Sequence, residues 1–346
     1  MKRAAIVVLS TTLLAAGPAP ARDPSPPAGL LAASVEQTVV LADPATGESV
    51  AFETGPVGWL FEAPGGVLFA PDLVDGRTTV IDLRTRGVAD RFEGVTMPHF
   101  GPSADRYAVV AGDVLLVTYP ERAVIARLAA GIDRPWQVEM FSESALIALE
   151  RGEDAGGAVL SAVDMVTRQV VYRRPLPGDV RRFALSRSLG LLALADPSSS
   201  SVPLVAPATL TGVASLPMGG AVRDVAALEG ERPGIVAVAS VGEGGGELKV
   251  WQIKAAKGEL KIKKEQHVAL AGPPVRLAVS PDGQHAAVAV ASGDVIVVSL
   301  DRLETLRVLS LGHAPRDLVW CDPARPGPLL PDWSDDDPPE LRLGPK

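Results

Sequence analysis

From residue 30 to residue 321 the apolar positions fall into short runs, each closed by Gly, Pro or Asp. The clearest stretch opens with Val-Arg-Leu-Ala-Val-Ser-Pro-Asp-Gly at 275–283 and continues through residues 285–291, 294–300 and 305–311. Short segments rich in Val, Leu and Ala with tight connections predict four consecutive antiparallel strands. Residues 294–300 are apolar almost throughout, which predicts a strand covered on both faces.

The same four-strand pattern lies along the rest of the chain. First strands are predicted to begin near Val57, Thr96, Asp133, Val180, Val222, Val275 and Pro315, a mean spacing near 43 residues. A four-stranded propeller blade takes about 40–45 residues. Residues 30–34, 38–43 and 48–53 make three strands with no partner before them, and residues 316–321 make one inner-type strand with nothing after it. Three plus one is a whole blade. The pattern therefore predicts an all-β, seven-bladed β-propeller of four-stranded antiparallel blades. C-terminal strand 316–321 joins N-terminal strands 30–53 and so removes the exposed sheet edges. The competing architecture is a pair of β-sandwich domains. It would need a linker near the middle, and the Pro and Gly density does not shift between Gly55 and Gly312.

Residues 275–283 resemble the opening strand of bacterial YVTN-type and WD-repeat propellers, whose blades often carry a Ser-Pro-Asp-Gly turn. Gly312-His313 is similar to the Gly-His before a WD-repeat blade, and Val250-Trp251-Gln252 resembles that family's Trp-Asp ending with Gln in place of Asp. The motif is clear only in residues 275–321, and no Trp-Asp pair occurs. The resemblance implies a divergent propeller in which His313 is a turn residue bonded to loop backbone. Sugar-lactone hydrolases resemble this fold class and hold their metal through Glu, Asn and Asp.

Composition narrows the function. The chain has 346 residues, 47% hydrophobic and 4% aromatic, with 34 Gly and 31 Pro. That apolar mass excludes a disordered chain, and the turn density excludes a helical bundle. A net charge of −8 argues against nucleic acid as a partner. One cysteine excludes an internal disulfide framework, a cysteine zinc cluster and covalent haem attachment. The chain contains no Asn, which removes N-glycosylation and Asn metal ligands and argues against lactonase-like chemistry.

Both termini read as something other than the domain. Residues 1–21 have Lys2 and Arg3, an apolar run over 4–16, and Ala19-Pro20-Ala21 before Arg22, which together predict a secretory signal peptide. The apolar run is too short to span a bilayer, and no later segment is apolar enough for a transmembrane segment after signal cleavage. The expectation is an exported protein, periplasmic or extracellular. Residues 22–29 read as a linker, 30–321 as the propeller, and 322–346 as a Pro-rich acidic tail carrying Asp335-Asp336-Asp337. In that tail Leu329, Leu330 and Trp333 could form a docking strap.

No local constellation points to catalysis. His99, His267, His285 and His313 stand at no metal-ligand spacing. His267 and His285 fall at strand ends as exposed polar positions. His99 falls on an inner strand where it could face the channel. Cys321 is expected to be buried behind the first blade, since an exposed thiol in an oxidising compartment is a hazard. Residues 242–246 are Gly-rich but join two strands of one blade. The expectation is therefore no catalytic residue, no metal and no cofactor.

The informative pattern is a charge at one register position. With the inner strands aligned on Ala-Val-Ser-Pro, Arg134, Arg181, Arg223, Arg276 and Arg316 coincide, and Gly58 and Met97 fill the other two blades. The position lies where the chain enters each inner strand, at the channel mouth. Five guanidiniums there would gather positive potential on an acidic protein and bind carboxylate or phosphate in a fork. Pairing with Asp133, Asp179, Asp224 or Asp317 is the purely structural alternative. Trp59 and Trp136 are the aromatic residues expected beside them. A second charge feature is residues 249–264, which hold six of the eight lysines on an outer hairpin. It reads as a solvated edge, or as a contact for anionic lipid or an acidic partner.

The expectation is a non-enzymatic scaffold that binds a protein partner or small anionic ligand at the channel mouth. The alternatives are a propeller enzyme, a hydrolase or lactonase-like protein using channel carboxylates, and an accessory subunit of a cell-envelope complex.

Overall fold

The computed structural model describes residues 26–327, apart from 73, 95–96, 101–105, 112, 119–123, 129–131, 133–134, 153–156 and 257–258. The chain opens with β1 (Leu30–Val35), β2 (Thr38–Ala42) and β3 (Ser49–Glu53). Blade 2 is β4 (Phe61–Ala63), β5 (Val67–Asp72), β6 (Arg77–Asp82) and β7 (Gly87–Glu93). Blade 3 is β8 (Pro98–Phe100), β9 (Arg106–Ala111), β10 (Asp113–Thr118) and β11 (Val124–Leu128). Blade 4 is β12 (Pro135–Ser142), β13 (Ala145–Arg151), β14 (Ala158–Asp164) and β15 (Gln169–Leu176). Blade 5 is β16 (Arg182–Ser186), β17 (Leu191–Ala195), β18 (Ser201–Val205) and β19 (Gly212–Pro217). Blade 6 is β20 (Ala221–Leu228), β21 (Gly234–Val241), β22 (Gly245–Ala256) and β23 (Glu259–Leu270). Blade 7 is β24 (Pro274–Val279), β25 (His285–Val290), β26 (Asp294–Ser299) and β27 (Glu304–Ser310). The last strand is β28 (Asp317–Cys321).

Strand β28 pairs with β1, so the first blade has the order β28-β1-β2-β3 and the ring is closed as the sequence predicts. The register runs from Leu30 opposite Cys321 to Ser34 opposite Asp317. Gly29 holds the approach to this seam. It sits at φ +91°, and a Cβ there would lie 2.5 Å from the Cys321 carbonyl oxygen. Trp320 donates from Nε1 to the Ala28 carbonyl at 2.7 Å, tying the two ends of the propeller together.

The core is distributed between blades. Seven buried apolar clusters fill the seven junctions of adjacent blades among the described residues. This explains the fully buried middle strands: β5, β17, β25 and β1 are buried at every position because each face packs on a different neighbour. The outer strands alternate or are exposed, as in β3 and β7.

One expectation changes. His285 is not an exposed strand-end residue: it is 2% exposed and its ring stacks on Trp320 at 6.1 Å across the seam. Its backbone N–H and C=O are held by Ser280 Oγ in the turn before it, which draws the side chain inward. His267 is exposed on β23 as expected. His313 lies in the turn before β28, and its Nδ1 sits 3.6 Å from the Glu36 carboxylate. Cys321 is buried, in the cluster between blades 1 and 2. The signal peptide and the Leu329, Leu330 and Trp333 strap lie outside the described residues.

Candidate functional site at the channel mouth

Each blade has four strands, an even number, so the chain returns to the same face before it enters the next inner strand. The residues just ahead of β4, β8, β12, β16, β20, β24 and β28 therefore ring one mouth of the central channel. Here it is called the entry mouth.

One position at this mouth acts as a bolt between blades. Asp317 Oδ2 accepts the backbone N–H of Leu60 in blade 2 at 2.9 Å. Asp224 Oδ2 accepts the N–H of Leu277 in blade 7 at 3.0 Å. Gln137 holds both the N–H and the C=O of Phe183 in blade 5, at 2.9 and 2.8 Å. These acceptors and donors are equivalent from blade to blade, and they fix the register of the inner strands. The residues before the three acceptors, Arg316, Arg223 and Trp136, share one position with Arg181 and Val275, and the acceptors themselves share the next with Arg182, Arg276 and Trp59.

The arginine pattern is corrected accordingly. Arg181, Arg223 and Arg316 do share one position, while Arg276 stands one residue further in, level with Arg182, because Arg-Phe-Ala-Leu-Ser at 182–186 matches Arg-Leu-Ala-Val-Ser at 276–280. Blade 4 contributes Trp136 and blade 2 contributes Trp59. Arg134 lies outside the described residues, two positions ahead of the blade 4 mouth residue. The bulges at Arg223, Val275 and Trp136 obscure the register in sequence, since each adds a residue that breaks the alternation.

Arg182 reaches into the channel and joins blades 6 and 1. Its Nη1 donates to Asp224 Oδ2 at 3.2 Å and its Nη2 to Asp317 Oδ1 at 2.6 Å. The guanidinium is largely buried and both carboxylates almost wholly so. Burial works against the Arg182 charge, but Asp317 and Asp224 more than reverse it, and its pKa rises above the ordinary arginine value. Arg276 completes the group, 3.8 Å from Asp317, with its Nε donating to the Arg316 carbonyl at 2.6 Å. Burial and repulsion from Arg182 lower its pKa, against the pull of the two acids. Two arginines and two aspartates thus cancel at the centre of the mouth.

The remaining predicted residues divide. Arg181 is exposed and bound through Nε and Nη2 to Asp179 Oδ2, at 2.9 and 2.6 Å. Arg223 is exposed, with Nε on Ser240 Oγ at 2.9 Å, and its neighbour Asp224 serves Arg182 instead. Arg316 is exposed, and among the described residues its guanidinium has no acid partner, because Asp317 also turns to Arg182. Trp136 donates from Nε1 to the Arg181 carbonyl at 3.0 Å and packs against the core between blades 4 and 5.

Two neighbouring cavities share Trp136 and Arg181 as a common wall. The outer one, about 310 Å³, is bounded by Trp136, Arg151, Gly157 and the 179–181 turn. The inner one, about 150 Å³, is the channel itself below Trp59 and Trp136, lined by Leu60, Phe61, His99, Glu139, Leu318 and Val319 among others. His99 faces this channel, as its inner-strand position allows, edge-on to Phe61 at 5.0 Å. Desolvation in the narrow well lowers its pKa to about 3, so it is neutral. Glu139 was not foreseen. Desolvation raises its carboxyl pKa, with Arg187 opposing. Among the described residues no group of three or more His, Cys, Asp or Glu could hold a metal ion. The site offers aromatic and apolar walls, a rim of exposed arginine, and two central aspartates already engaged by Arg182.

Comparison with known proteins places the fold. No protein-family model matches the chain, and no curated protein matches it. Solved structures do. A functionally unknown protein from Desulfotomaculum acetoxidans is similar with a TM-score of 0.66 and 10% identity, over 87% of this chain and 100% of that one. The β-propeller domain of Cps50 (Swd1) from Myceliophteria thermophila gives 0.59 and 13%, over 79% and 92%. Hydrazine synthase from Kuenenia stuttgartiensis gives 0.58 and 14%, over 78% and 90%. The chain is a seven-bladed β-propeller with a WD-repeat-like fold.

Proposed function

We propose that this protein is an exported, non-enzymatic binding scaffold whose entry mouth receives an anionic ligand or an acidic segment of a protein partner. The carrying observation is the shelf formed by Trp136 and Arg181 between two contiguous cavities. The central carboxylates, Asp224 and Asp317, are already committed to backbone N–H groups and to Arg182. Exposed Arg223, Arg316 and Arg151 supply the charge at the rim, and Trp59 and Trp136 supply rigid apolar contact. Export rests on the basic, apolar and small-residue order of residues 1–21. A place in a cell-envelope complex is consistent with this reading.

The test is binding of a panel of carboxylates, phosphates and acidic peptides to the full chain. The Arg223→Glu/Arg316→Glu double variant should weaken anionic binders by about tenfold or more, and Trp136→Ala should weaken them further. Unchanged binding of every anion by both variants would discard the proposal.

A second reading, an enzyme working from the channel carboxylates, is favoured by one observation: Glu139 and His99 line the same small well. A buried carboxyl of raised pKa and a neutral imidazole lining one well suit proton transfer to a small substrate. Turnover of any ester or lactone that is lost in Glu139→Gln, with the fold intact, would replace the scaffold reading by this one.

A further inference from the structure

Blade 6 differs from the others at its outer edge. Its strands β22 and β23 are 12 residues each, whereas the outer strands of the other blades run from 5 to 8. Pairing with β21 ends at Gln252 opposite Gly234, and β22 and β23 continue as a two-stranded ribbon to Ala256 opposite Glu259. β22 runs away from the entry mouth and β23 returns toward it, so the ribbon tip lies on the far side of the propeller from that mouth.

The lysines are concentrated on this ribbon. Every lysine among the described residues lies on β22 or β23, and no other outer strand carries one. Lysine is therefore not a general means of protecting the edges in this protein. Lys254 stands directly opposite Lys261, and Lys264 opposite Gln252 on the same face. Like charges facing each other across a ladder are destabilising. Glu259 contacts Lys261 at 3.7 Å, but both are exposed, and no acid meets Lys254, Lys263 or Lys264 among the described residues. Ile262 is 49% exposed between these cations. The outer backbone edge of β23 is not covered by another strand.

We propose that the β23 edge is a second docking site, separate from the entry mouth, for an extended acidic segment of a partner protein. The segment adds to blade 6 as a fifth strand. Its backbone completes the ladder on β23, its acidic side chains neutralise the Lys254 and Lys261 pair, and an apolar residue covers Ile262. Strand addition is favoured over a lipid surface because the ribbon offers a long run of free backbone groups, interrupted only by the bulge at Lys263, and only one exposed large apolar side chain on β23.

The experiment uses the full chain and a short peptide alternating Glu and Thr as the probe, followed by fluorescence anisotropy at several salt concentrations. Binding is expected, weakened by salt, and reduced about tenfold or more by Lys254→Glu/Lys261→Glu. Measured in the Arg223→Glu/Arg316→Glu background, which disables the entry mouth as a competing site for acidic peptides, salt-sensitive and lysine-dependent binding at β23 should persist, so this site and the mouth fail or succeed independently. Lys254→Gln/Lys261→Gln replaces the reversed variant if that chain does not fold. A peptide of equal charge with Pro in place of Thr should bind poorly, because it cannot donate to the ladder. Equal binding of the Pro peptide would overturn the proposal, as would binding indifferent to the lysine changes. So would binding of phosphatidylglycerol vesicles without the peptide. Peptide binding that appears only in a chain ending at Gly327 would assign the edge to the protein's own acidic tail instead.

Discussion

Arg182 Nη2 lies 2.6 Å from Asp317 Oδ1, an ion pair that crosses the channel from blade 5 to the strand that closes blade 1. The same aspartate receives the Leu60 N–H of blade 2, so one carboxylate holds three blades. The last strand of the chain is thereby locked by side chains as well as by its backbone ladder.

Asp317→Ala removes this acceptor, leaves the Leu60 N–H unpaired and strips Arg182 of one counter-charge. Breaking a buried pair in this way costs about 3–5 kcal/mol. Asp317→Asn keeps an acceptor for Leu60 and should lose less. Urea unfolding of the two variants checks the order. An Arg182→Met/Asp317→Leu double variant should recover part of the loss, since it leaves no lone charge in the channel.

Trp320 is the largest side chain at the seam, with its indole on the Ala28 carbonyl and its ring against His285. Trp320→Ala should cost about 3–5 kcal/mol and should raise proteolytic cleavage near residue 30 before cleavage elsewhere. Mass spectrometry of limited digests measures this.

Two channel groups give stability opposite dependences on pH. The folded pKa of His99 is depressed from 6.5 to about 3, so between these values the unfolded chain binds the extra proton. Stability contributed by the neutral imidazole is present above pH 6.5 and is lost as the pH falls toward 3. The Glu139 carboxyl is raised above its ordinary 4.5, so stability falls as the pH rises from 4.5 toward that raised value, and the full cost of its charge is present above it. His99→Phe should flatten the acid limb of the stability profile. Glu139→Gln should stabilise at neutral pH and change little below pH 4.5. Thermal melts across the pH range test both.

Burial pushes the Cys321 thiol pKa well up, and nearby Glu62 adds to the shift. The native protein should therefore resist a thiol reagent at pH 8, with labelling that appears only at the rate of unfolding. Prompt labelling of the folded protein would show that the seam opens.

The ring was legible because repetition is a one-dimensional signal. Four short apolar runs per 43 residues, with three strands over at one end and one at the other, leave few other closed arrangements. Leu30 and Cys321 pair where the count requires. The mouth was legible only in part. Trp136, Arg181, Arg223 and Arg316 share one position there and Arg276 stands at the next, so the arginines that align in sequence divide between two levels of the mouth. A bulge adds a residue without changing composition, so strand spacing alone misses it, although the Arg-Phe-Ala-Leu-Ser match at 182–186 was available.

The sequence by itself determined the blade count, the closing strand and the burial of Cys321, because all three follow from the order of apolar segments along the chain. Tertiary structure alone decided which charges meet. Asp224 and Asp317 are each next to an arginine in sequence, but both turn to Arg182 from another blade. Strand alternation points neighbouring side chains to opposite faces, and only closure of the ring brings distant ones within bonding distance.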